Sequence, residues 1–460
     1  MLHWSLSLVT LVALVSSGPL KADSPKPRRN IVLMIADDLG MEVGCYGDEV
    51  AKTPHIDALA KKGTRFSHAF AAVASCSPSR AVLLTGLHTH TSGQYGLAHA
   101  EHNFHTRPGL KSLPGYLRPA GYRTGIIGKT HIVPESVYDF DEVIRATGRN
   151  GAEMADKAAK FIAASGDEPF CLVMGYTDPH RAVKGFANGA KYPGIDAVKF
   201  DPKTLPIPAH LPDTPEVRGD LAEYYQSVNR LDQGVGHLMA LLAKTGRDKD
   251  TLVLFLSDNG IPFPGAKTTL YDAGIRLPLI VHSPTTPKGG VVNDAMVSWL
   301  DVLPTMLEWA GVKAPTALQG RSFLGILGET APKGWDQVFA SHSFHEVTMY
   351  YPMRAIRTRK YKYIRNLAHK LDFPIAADLY ESPSWQGILT GKLERMGKRG
   401  MKQFIHRPAE ELYDIEADPH EVTNLAADPS HERALRDLRG RLRAWQEKTK
   451  DPWVVKYRHE

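Results

Sequence analysis

The stretch NIVLMIADDLG, residues 30–40, is a nearly unbroken apolar run that ends on Asp37 and Asp38. A short apolar run bounded by polar residues predicts a buried β-strand. Similar runs alternate with helical patterns along the chain, which is typical of a parallel α/β sheet. The stretch therefore predicts a central strand with two carboxylates at its carboxyl end.

Three further apolar runs also end on polar residues. They are TGIIGKTH (124–131), PFCLVMGYTDPHR (169–181) and TLVLFLSDNG (251–260). Ligands of open α/β sheets bind outside the carboxyl ends of the strands. We therefore expect one site to collect the residues that end these runs, namely Lys129, His131, Asp178, His180, Arg181, Asp258 and Asn259.

The residue types in this cluster indicate its chemistry. Four of them are hard oxygen donors, which suit Ca²⁺ or Mg²⁺ better than zinc: Asp37, Asp38, Asp258 and Asn259. Lys129, Arg80 and the histidines add cationic donors around them. Carboxylates around a divalent cation, surrounded by cationic side chains, indicate a site for a tetrahedral oxyanion ester.

Cys76, in SCSPSRAVLLTGLHTH (75–90), is one of only three cysteines. Pro78 suits the first turn of a helix, so we expect Cys76 just before a helix N-terminus that favours an anion. Thiolate phosphatases need a longer loop between cysteine and arginine than the three residues that separate Cys76 from Arg80. A soft thiolate is also a poor neighbour for a hard cation. These features indicate that Cys76 is chemically modified.

The composition limits the class of protein. The chain has 460 residues, 43% of them hydrophobic and 23% charged, with a formal net charge of +6. This length predicts one large domain and a smaller one. The charges are dispersed, so we expect no nucleic-acid partner. So few cysteines argue against a disulfide framework.

The N-terminal segment predicts export. Residues 1–22 contain an apolar run from Leu6 to Val15 followed by small residues, which is typical of a signal peptide. An uncleaved anchor is the alternative, but the run is short for a membrane span. The chain has no N-x-[ST] sequon, which favours a bacterial periplasmic or secreted protein.

Structural alternatives exist for several motifs. GIIGKT lacks the first glycine of a phosphate-binding loop, because Arg123 stands there. The Asp37-Asp38 pair could be a helix cap. The basic stretch 392–407 could guide a polyanion or be a solvated helix face. Five histidines match no common zinc spacing and instead suggest a loop or pocket rim: His88, His90, His99, His102 and His105.

The motifs together resemble the type I sulfatases. CSPSR matches the family's Cys-x-Pro-Ser-Arg motif, and DDLG, GKTH, DPHR and SDNG follow the family's order. The resemblance implies oxidation of Cys76 to formylglycine by a formylglycine-generating enzyme or another maturase. It also implies an alkaline-phosphatase-like α/β domain over 28–335, with a large, mostly parallel sheet flanked by helices. A smaller C-terminal α+β domain with an antiparallel sheet would cover 336–460.

Other strings resemble one branch, the sulfamidases that act on N-sulfoglucosamine in heparan sulfate. They include HEVTMYYPMR (345–354), DFPIAADLYESP (372–383) and DPHEVTNLAADP. The implied substrate is a sulfated glycan, with the N-sulfate of a terminal glucosamine in heparan or heparin fragments as the bond cleaved. The string DNGIPFPGAKTTLY (258–271) also resembles the branch but departs from it at Lys267, where the branch tends to have arginine. Lysine lacks the planar fork of arginine.

The resemblance implies a role for each site residue. One Ca²⁺ ion would be held by Asp37, Asp38, Asp258, Asn259 and an oxygen of the modified Cys76. Lys129 and Lys267 would bind the sulfate, while Arg80 steadies the formylglycine. His131 would be the base that releases the enzyme-bound sulfate, and His180 the acid that protonates the leaving group. The remaining substrate-binding residues would be Asp178, Arg181, His345 and Glu346.

Several functions stay open at this point. An O-sulfatase acting on another sulfated polysaccharide would share the fold and the core motifs. A formylglycine phosphodiester or phosphonate hydrolase is a further enzyme alternative. A sulfated-glycan binding protein on the same fold would lack a metal ligand or the nucleophile, and both are present here. We also expect a homodimer and no membrane-spanning segment.

Overall fold

The fold is known from a computed structural model that describes Met1 and residues 29–286 and 288–455. Apart from Met1, the predicted signal peptide over residues 1–22 lies outside the described residues. Among the described residues, no helix has the length and apolar character needed to cross a membrane.

Two groups of strands organise the chain. The first eight strands are β1 (Asn30–Ala36), β2 (Thr64–Phe70), β3 (Arg123–Gly128), β4 (Glu142–Ile144), β5 (Phe170–Gly175), β6 (Thr251–Ser257), β7 (Leu279–His282) and β8 (Val291–Ser298). The later strands are β9 (Gln337–His342), β10 (Met353–Thr358), β11 (Tyr361–Asn366), β12 (Arg395–Met396), β13 (Arg399–Gly400) and β14 (Glu410–Asp414).

The helices of the first two thirds of the chain are α1 (Pro54–Lys62), α2 (Cys76–Thr85), α3 (Thr89–Ser92), α4 (Leu113–Leu117), α5 (Gly151–Ala164), α6 (Pro215–Lys244), α7 (Asp272–Ile275) and α8 (Val302–Trp309). Those of the last third are α9 (Ala377–Tyr380), α10 (Pro383–Thr390), α11 (Met401–Ile405) and α12 (Glu432–Lys448).

The large sheet has the order β4-β3-β5-β1-β6-β7-β2-β8. Its strands pair in parallel except at β7, which is antiparallel to both of its neighbours. The four apolar runs singled out in the sequence form β3, β5, β1 and β6, which are adjacent and parallel. The predicted α/β architecture is therefore confirmed, and the four carboxyl ends meet at one edge of the sheet.

Both faces of this sheet are buried, as the apolar strands require. Along β1, Ile31, Leu33 and Ile35 join one apolar cluster, which also includes residues of α2, α4 and α8. Val32 and Met34 face the opposite cluster, which includes residues of α1, α5 and α6. A strand that is apolar on both faces can be stable only between two helix layers.

The second sheet is antiparallel, with the order β14-β11-β10-β9, as expected for the C-terminal part of the chain. Helix α12 covers one face through Leu435, Leu438 and Leu442. On the other side, Met353 and Ile364 belong to the same apolar cluster as Phe70 of β2 in the large sheet. The two sheets thus share buried contacts. The domain limits 28–335 and 336–460 stay a prediction.

Candidate active site

The candidate site lies where β1, β3, β5 and β6 end, beside the N-terminus of α2. Cys76 is the first residue of α2 and Ser75 is its N-cap, so the cysteine lies one position further into the helix than predicted. Ser79 Oγ donates a hydrogen bond to the carbonyl of Asp258 at 2.6 Å. This contact fixes the start of α2 against the end of β6.

Oxygen donors surround the Cys76 side chain. Asp37, Cys76 and Asp258 each offer one ligand atom, and these atoms lie within 4.8 Å of one another. Asp38, Cys76 and His180 form a second such group. Asn259 joins them, because its Nδ2 donates to Asp38 Oδ1 at 2.6 Å. The structure therefore brings together all of the residues that the sequence predicted as metal ligands.

This donor set fits a hard divalent cation. Asp37 Oδ1 and Asn259 Oδ1 are buried, and neither has a hydrogen-bond partner among the described residues. Asp37 Oδ1 lies 3.7 Å from Arg80 Nη2, beyond hydrogen-bond distance. Buried oxygens without a hydrogen bond cost free energy unless something else binds them. Carboxylate and amide oxygens are the ligands that Ca²⁺ prefers. The Sγ atom of Cys76 occupies the place of the oxygen that a formylglycine would carry.

Repulsion between carboxylates supports the same conclusion. Burial favours a higher pKa for Asp37, but Lys129, His180 and Arg80 outweigh burial and hold its pKa well below 3.8. Burial and the neighbouring Asp37 carboxylate raise the pKa of Asp258 to about 7. Two carboxylates this close cannot both ionise freely, and a divalent cation between them would remove the repulsion.

The unmodified Cys76 thiol is unsuited to act as a nucleophile. Cys76 is only 1% exposed. Burial raises its pKa well above 9, even though Lys267 and Lys129 act in the opposite direction. Because the thiolate is the reactive form of cysteine, a thiol that stays protonated is inert. The structure thus argues against a thiolate phosphatase.

Three cationic side chains complete the site. Arg80 Nε lies 2.8 Å from Asp258 Oδ2, and its Nη1 donates to the carbonyl of Lys129 at 3.1 Å. Lys129 Nζ is hydrogen bonded to Asp37 Oδ2. Lys267 Nζ lies 2.9 Å from Asp38 Oδ2. Each cation is thus paired with one of the candidate metal ligands, which surrounds the carboxylate cluster with positive charge.

Asp378 is a site residue that the sequence did not predict. Its Oδ2 lies 2.7 Å from Lys267 Nζ, and Oδ1 is buried without a partner among the described residues. Burial alone would raise the pKa of Asp378. Lys267, His180 and His345 outweigh burial and lower this pKa, so the carboxylate is ionised. The available signal was its position in DFPIAADLYESP, one of the strings that resemble the sulfamidases.

Two histidines predicted for proton transfer border the cluster. His180 Nε2 lies 3.8 Å from Asp38 Oδ2 and 3.9 Å from Asp378 Oδ2. Its Nδ1 lies 2.6 Å from the carbonyl of Arg181. His131 follows β3, and its Nε2 is hydrogen bonded to Nδ1 of His99. Burial lowers the pKa of both His131 and His180.

His345 and Glu346 reach the site from the segment that follows β9. His345 Nδ1 is 2.8 Å from the hydroxyl of Ser75, the residue before Cys76. Glu346 Oε1 accepts a hydrogen bond of 2.7 Å from the backbone N–H of Ala377. The two side chains therefore connect the start of α2 and the segment that carries Asp378, and their contact with substrate stays a prediction.

Asp178 and Arg181 are engaged elsewhere. The Asp178 carboxylate receives hydrogen bonds from Arg149, Arg230 and Ser227 at 2.6–3.0 Å. Arg181 forms a bidentate pair with Asp220, with bonds of 2.8 and 2.7 Å. Both side chains are at least 95% buried. Through these contacts, Asp178 and Arg181 stabilise the loop after β5. Direct substrate binding by the two residues stays a prediction.

The five loop histidines do not form one cluster. His88 and His90 are stacked with ring centroids 5.4 Å apart, and Trp445 Nε1 donates to His88 Nε2 at 3.1 Å. His105 is exposed and contacts the carbonyl of Asn103. The metal-ligand groups found among the described residues include none of the five. The first two are thus packing residues, whereas His99 lies beside the candidate site.

Comparison with known proteins assigns the family. The model of the sulfatase family matches residues 29–312, and the model "N-sulphoglucosamine sulphohydrolase, C-terminal" matches residues 266–389. Human N-sulphoglucosamine sulphohydrolase is 42% identical over 93% of this chain and 91% of its own length. An ulvan-active sulfatase of Formosa agariphila is 31% identical over 91% of this chain and 80% of its own.

Solved structures share the fold. BT4656, solved in complex with its substrate D-glucosamine-2-N,6-O-disulfate, has a TM-score of 0.69 at 22% identity and covers 92% of this chain and 98% of its own. The phosphonate monoester hydrolase of Silicibacter pomeroyi has a TM-score of 0.68 at 19% identity, with coverage of 93% and 97%. The fold is thus shared across chemistries. By sequence, this chain belongs to the sulfatase family and is a hydrolase of sulfuric esters or sulfamates.

Proposed function

We propose that the protein removes the N-sulfate of a terminal glucosamine in heparan or heparin fragments, with formylglycine at position 76 and one calcium ion. The carrying observation is the contact between Lys267 and Asp378, at 2.7 Å. Both residues lie within the 266–389 segment that matches the sulfohydrolase C-terminal model. Lys267, which would hold the sulfate, is thus paired with Asp378, which lies in a string that resembles the sulfamidases.

The chemistry of the site supports sulfate transfer. A formylglycine at position 76 would supply a hydrated aldehyde, one hydroxyl of which would displace the amine from sulfur, while the other would later lose its proton, so that sulfate leaves and the aldehyde returns. Asp37, Asp38, Asp258 and Asn259 would hold the calcium ion, which would supply charge to polarise the sulfate. Lys129 and Lys267 neutralise the charge on the free sulfate oxygens.

His180 is suited to protonate the leaving amine. Because a carbonyl oxygen can only accept, the contact of 2.6 Å between Nδ1 and the Arg181 carbonyl requires a proton on Nδ1. Nε2 is then the nitrogen that can exchange a proton with the substrate. Burial and Lys267 lower the pKa of His180, so Nε2 must first take up a proton and then releases it readily to the leaving amine.

The deciding experiment compares substrates. Purified enzyme is offered N-sulfoglucosamine, 6-O-sulfated N-acetylglucosamine, and sulfated galactose or uronate oligosaccharides, and sulfate release is followed. We expect the highest kcat/KM on N-sulfoglucosamine. Hydrolysis of only an O-sulfated sugar would replace the sulfamidase proposal with the O-sulfatase alternative. Phosphate release from an aryl phosphate in preference to sulfate would favour the phosphonate or phosphodiester alternative.

The same proposal extends to the biological setting. A maturase converts Cys76, the protein is exported to the periplasm or the medium of a bacterium, and residues 336–460 form a unit that contributes to sugar recognition. The contact of His345 with Ser75 at 2.8 Å supports the last point, because it joins that part of the chain to the residue before Cys76.

A further inference from the structure

His99 is an exposed residue in the loop after α3, outside every sulfatase motif noted above. Its Nδ1 is hydrogen bonded to Nε2 of His131. The two ring centroids are 4.6 Å apart and the ring planes differ by 30°. His99 thus connects a partly buried residue of the site to the surface.

The hydrogen bond restricts where the proton of His131 can reside. A neutral imidazole has one N–H and one lone pair. When both rings are neutral, either His131 Nε2 donates to His99 Nδ1, or the reverse. In the first case His131 Nδ1 carries a lone pair, and in the second it carries a proton. His131 Nδ1 is buried and has no hydrogen-bond partner among the described residues.

We propose that His99 is a positioning residue that accepts a hydrogen bond from Nε2–H of His131 and thereby keeps Nδ1 of His131 as the basic nitrogen. The inference rests on the proposed function in one respect, namely that His131 is the base. The inference adds that Nδ1 is the basic nitrogen of His131 and that His99 selects this nitrogen. The second ring nitrogen of a functional histidine commonly sets its tautomer in this way.

The charges around His131 favour this arrangement. Burial lowers its pKa well below 6.5, and the cations Lys129 and Arg80 act in the same direction against Asp37. Those cations disfavour a positive charge on the His131 ring, so the ring is held in its neutral form. A neutral His131 with a lone pair on Nδ1 is therefore the form best suited to take a proton from the reacting group.

Protonation of His99 would reverse the arrangement. A protonated His99 must donate from Nδ1, which forces His131 Nε2 to accept and moves the His131 proton to Nδ1. Burial, His102 and Lys129 lower the pKa of His99. The charged and titratable groups around the pair are Glu101, His102, Lys129, His180, Asp37 and Arg80. Loss of the base at acidic pH should therefore follow the titration of His99.

The first test measures the tautomer directly. Long-range ¹H–¹⁵N correlation spectra of histidine-labelled protein with unmodified Cys76 distinguish protonated from unprotonated ring nitrogens, and His131→Gln assigns the signals. We expect His131 to be protonated on Nε2 and unprotonated on Nδ1, and the His99→Ala variant to show both tautomers in exchange. A proton on Nδ1 of His131 in the unsubstituted protein would overturn the proposal.

The second test uses the mature enzyme. His99→Ala should lower kcat about 10- to 100-fold with little change in KM. His99→Asn, which keeps a side-chain acceptor but cannot titrate at these pH values, should recover most of kcat and shift the acid limb of the pH profile. His105→Ala is the matched control, because His105 is an exposed loop histidine whose ring contacts the carbonyl of Asn103. Equal kcat and pH profiles for His99→Ala and the unsubstituted enzyme would contradict the proposal.

The two tests separate this inference from the substrate assignment. If N-sulfoglucosamine is not hydrolysed but another sulfate ester is, the His99 variants are measured on that ester, and the substrate proposal alone fails. If the tautomer is as expected and His99→Ala keeps full kcat on every hydrolysed substrate, His99 is not a positioning residue, whatever the substrate is.

Discussion

Lys267 lies 2.7 Å from Asp378, a residue that follows it by 111 positions in the chain. Lys267 also contacts Asp38 at 2.9 Å, so one buried ammonium joins a candidate calcium ligand to the segment between β11 and β14 of the second sheet. In this chain, lysine stands where the sulfamidase branch tends to have arginine. The pairing gives the lysine two fixed acceptors without the planar fork of a guanidinium.

Replacing Lys267 should affect both the fold and the reaction. Lys267→Ala leaves the buried carboxylates of Asp38 and Asp378 without their shared cation, and breaking a buried pair typically costs about 3–5 kcal/mol. We expect a lower free energy of unfolding and a kcat/KM reduced by about 100-fold or more. Lys267→Arg keeps the charge and should retain measurable turnover. Similar kcat/KM values for Lys267→Ala and the unsubstituted enzyme would show that Lys267 does not contribute to the reaction.

Cys76 should be present as formylglycine in active protein. Peptide mass spectrometry of protein made with a maturase should find the aldehyde or its hydrate at position 76, whereas protein made without one should contain the thiol and be inactive. Cys76→Ala should lower turnover about 10³-fold or more, because the nucleophile is lost. Active enzyme that contains only unmodified Cys76 would refute the mechanism.

Removal of calcium should lower both activity and stability. Asp37 and Asp258 repel one another when no cation lies between them, so a chelator should lower Tm, and added Ca²⁺ should restore it. A ligand at 100 times its Kd stabilises the native state by about 2.7 kcal/mol. In Asp258→Asn the Ca²⁺-dependent part of the Tm shift should shrink. An unchanged Tm and rate after exhaustive chelation would exclude a calcium site here.

His180 should matter more for poor leaving groups than for good ones. An amine needs a proton as the N–S bond breaks, whereas an activated aryl oxide does not. His180→Ala should therefore reduce kcat on N-sulfoglucosamine by about 10²- to 10⁴-fold, with a smaller loss on an activated aryl sulfate. Equal losses on both substrates would argue for a binding role.

Strand periodicity accounts for what the sequence could predict. It placed Asp37 and Asp258 correctly, because apolar strands of a parallel sheet end at one edge and the residues directly after them must lie there. The same reasoning grouped Asp178 and Arg181 with the site, yet their side chains bind Arg230 and Asp220. Position at a strand end fixes where the backbone is, but the direction of a side chain depends on partners that lie far away in sequence.

The contacts of Asp378 and His99 could not be predicted from periodicity, for a related reason. Asp378 is in the first turn of the four-residue helix α9, and His99 lies in a loop. Neither has a periodic pattern around it. Their contacts with Lys267 and His131 arise from tertiary packing, which strand and helix periodicity do not encode.

Glu42 should make stability depend on pH. It borders a cavity of about 370 Å³, and burial raises its pKa from 4.5 to about 7. Between pH 4.5 and about pH 7, the native state keeps a proton on Glu42 that the unfolded chain loses. The free energy of unfolding therefore falls as the pH rises through this range. The loss amounts to about 3 kcal/mol.

Urea unfolding tests this expectation. The free energy of unfolding of Glu42→Gln, relative to the unsubstituted protein, should rise between pH 5 and pH 8, because glutamine stays neutral. Glu49→Gln is the control, since it neutralises an exposed carboxylate close in sequence. A pH-independent difference for Glu42→Gln would mean that Glu42 is solvated in the native state.

The apolar cluster that joins Phe70 and Met296 of the large sheet to Met353 and Ile364 of the second sheet has a consequence for protein engineering. Exchange of the last third of the chain with that of another sulfatase would replace one side of a packed interior. Chimeras made at a loop boundary should therefore fail to fold unless the residues on both sides of this cluster are exchanged together.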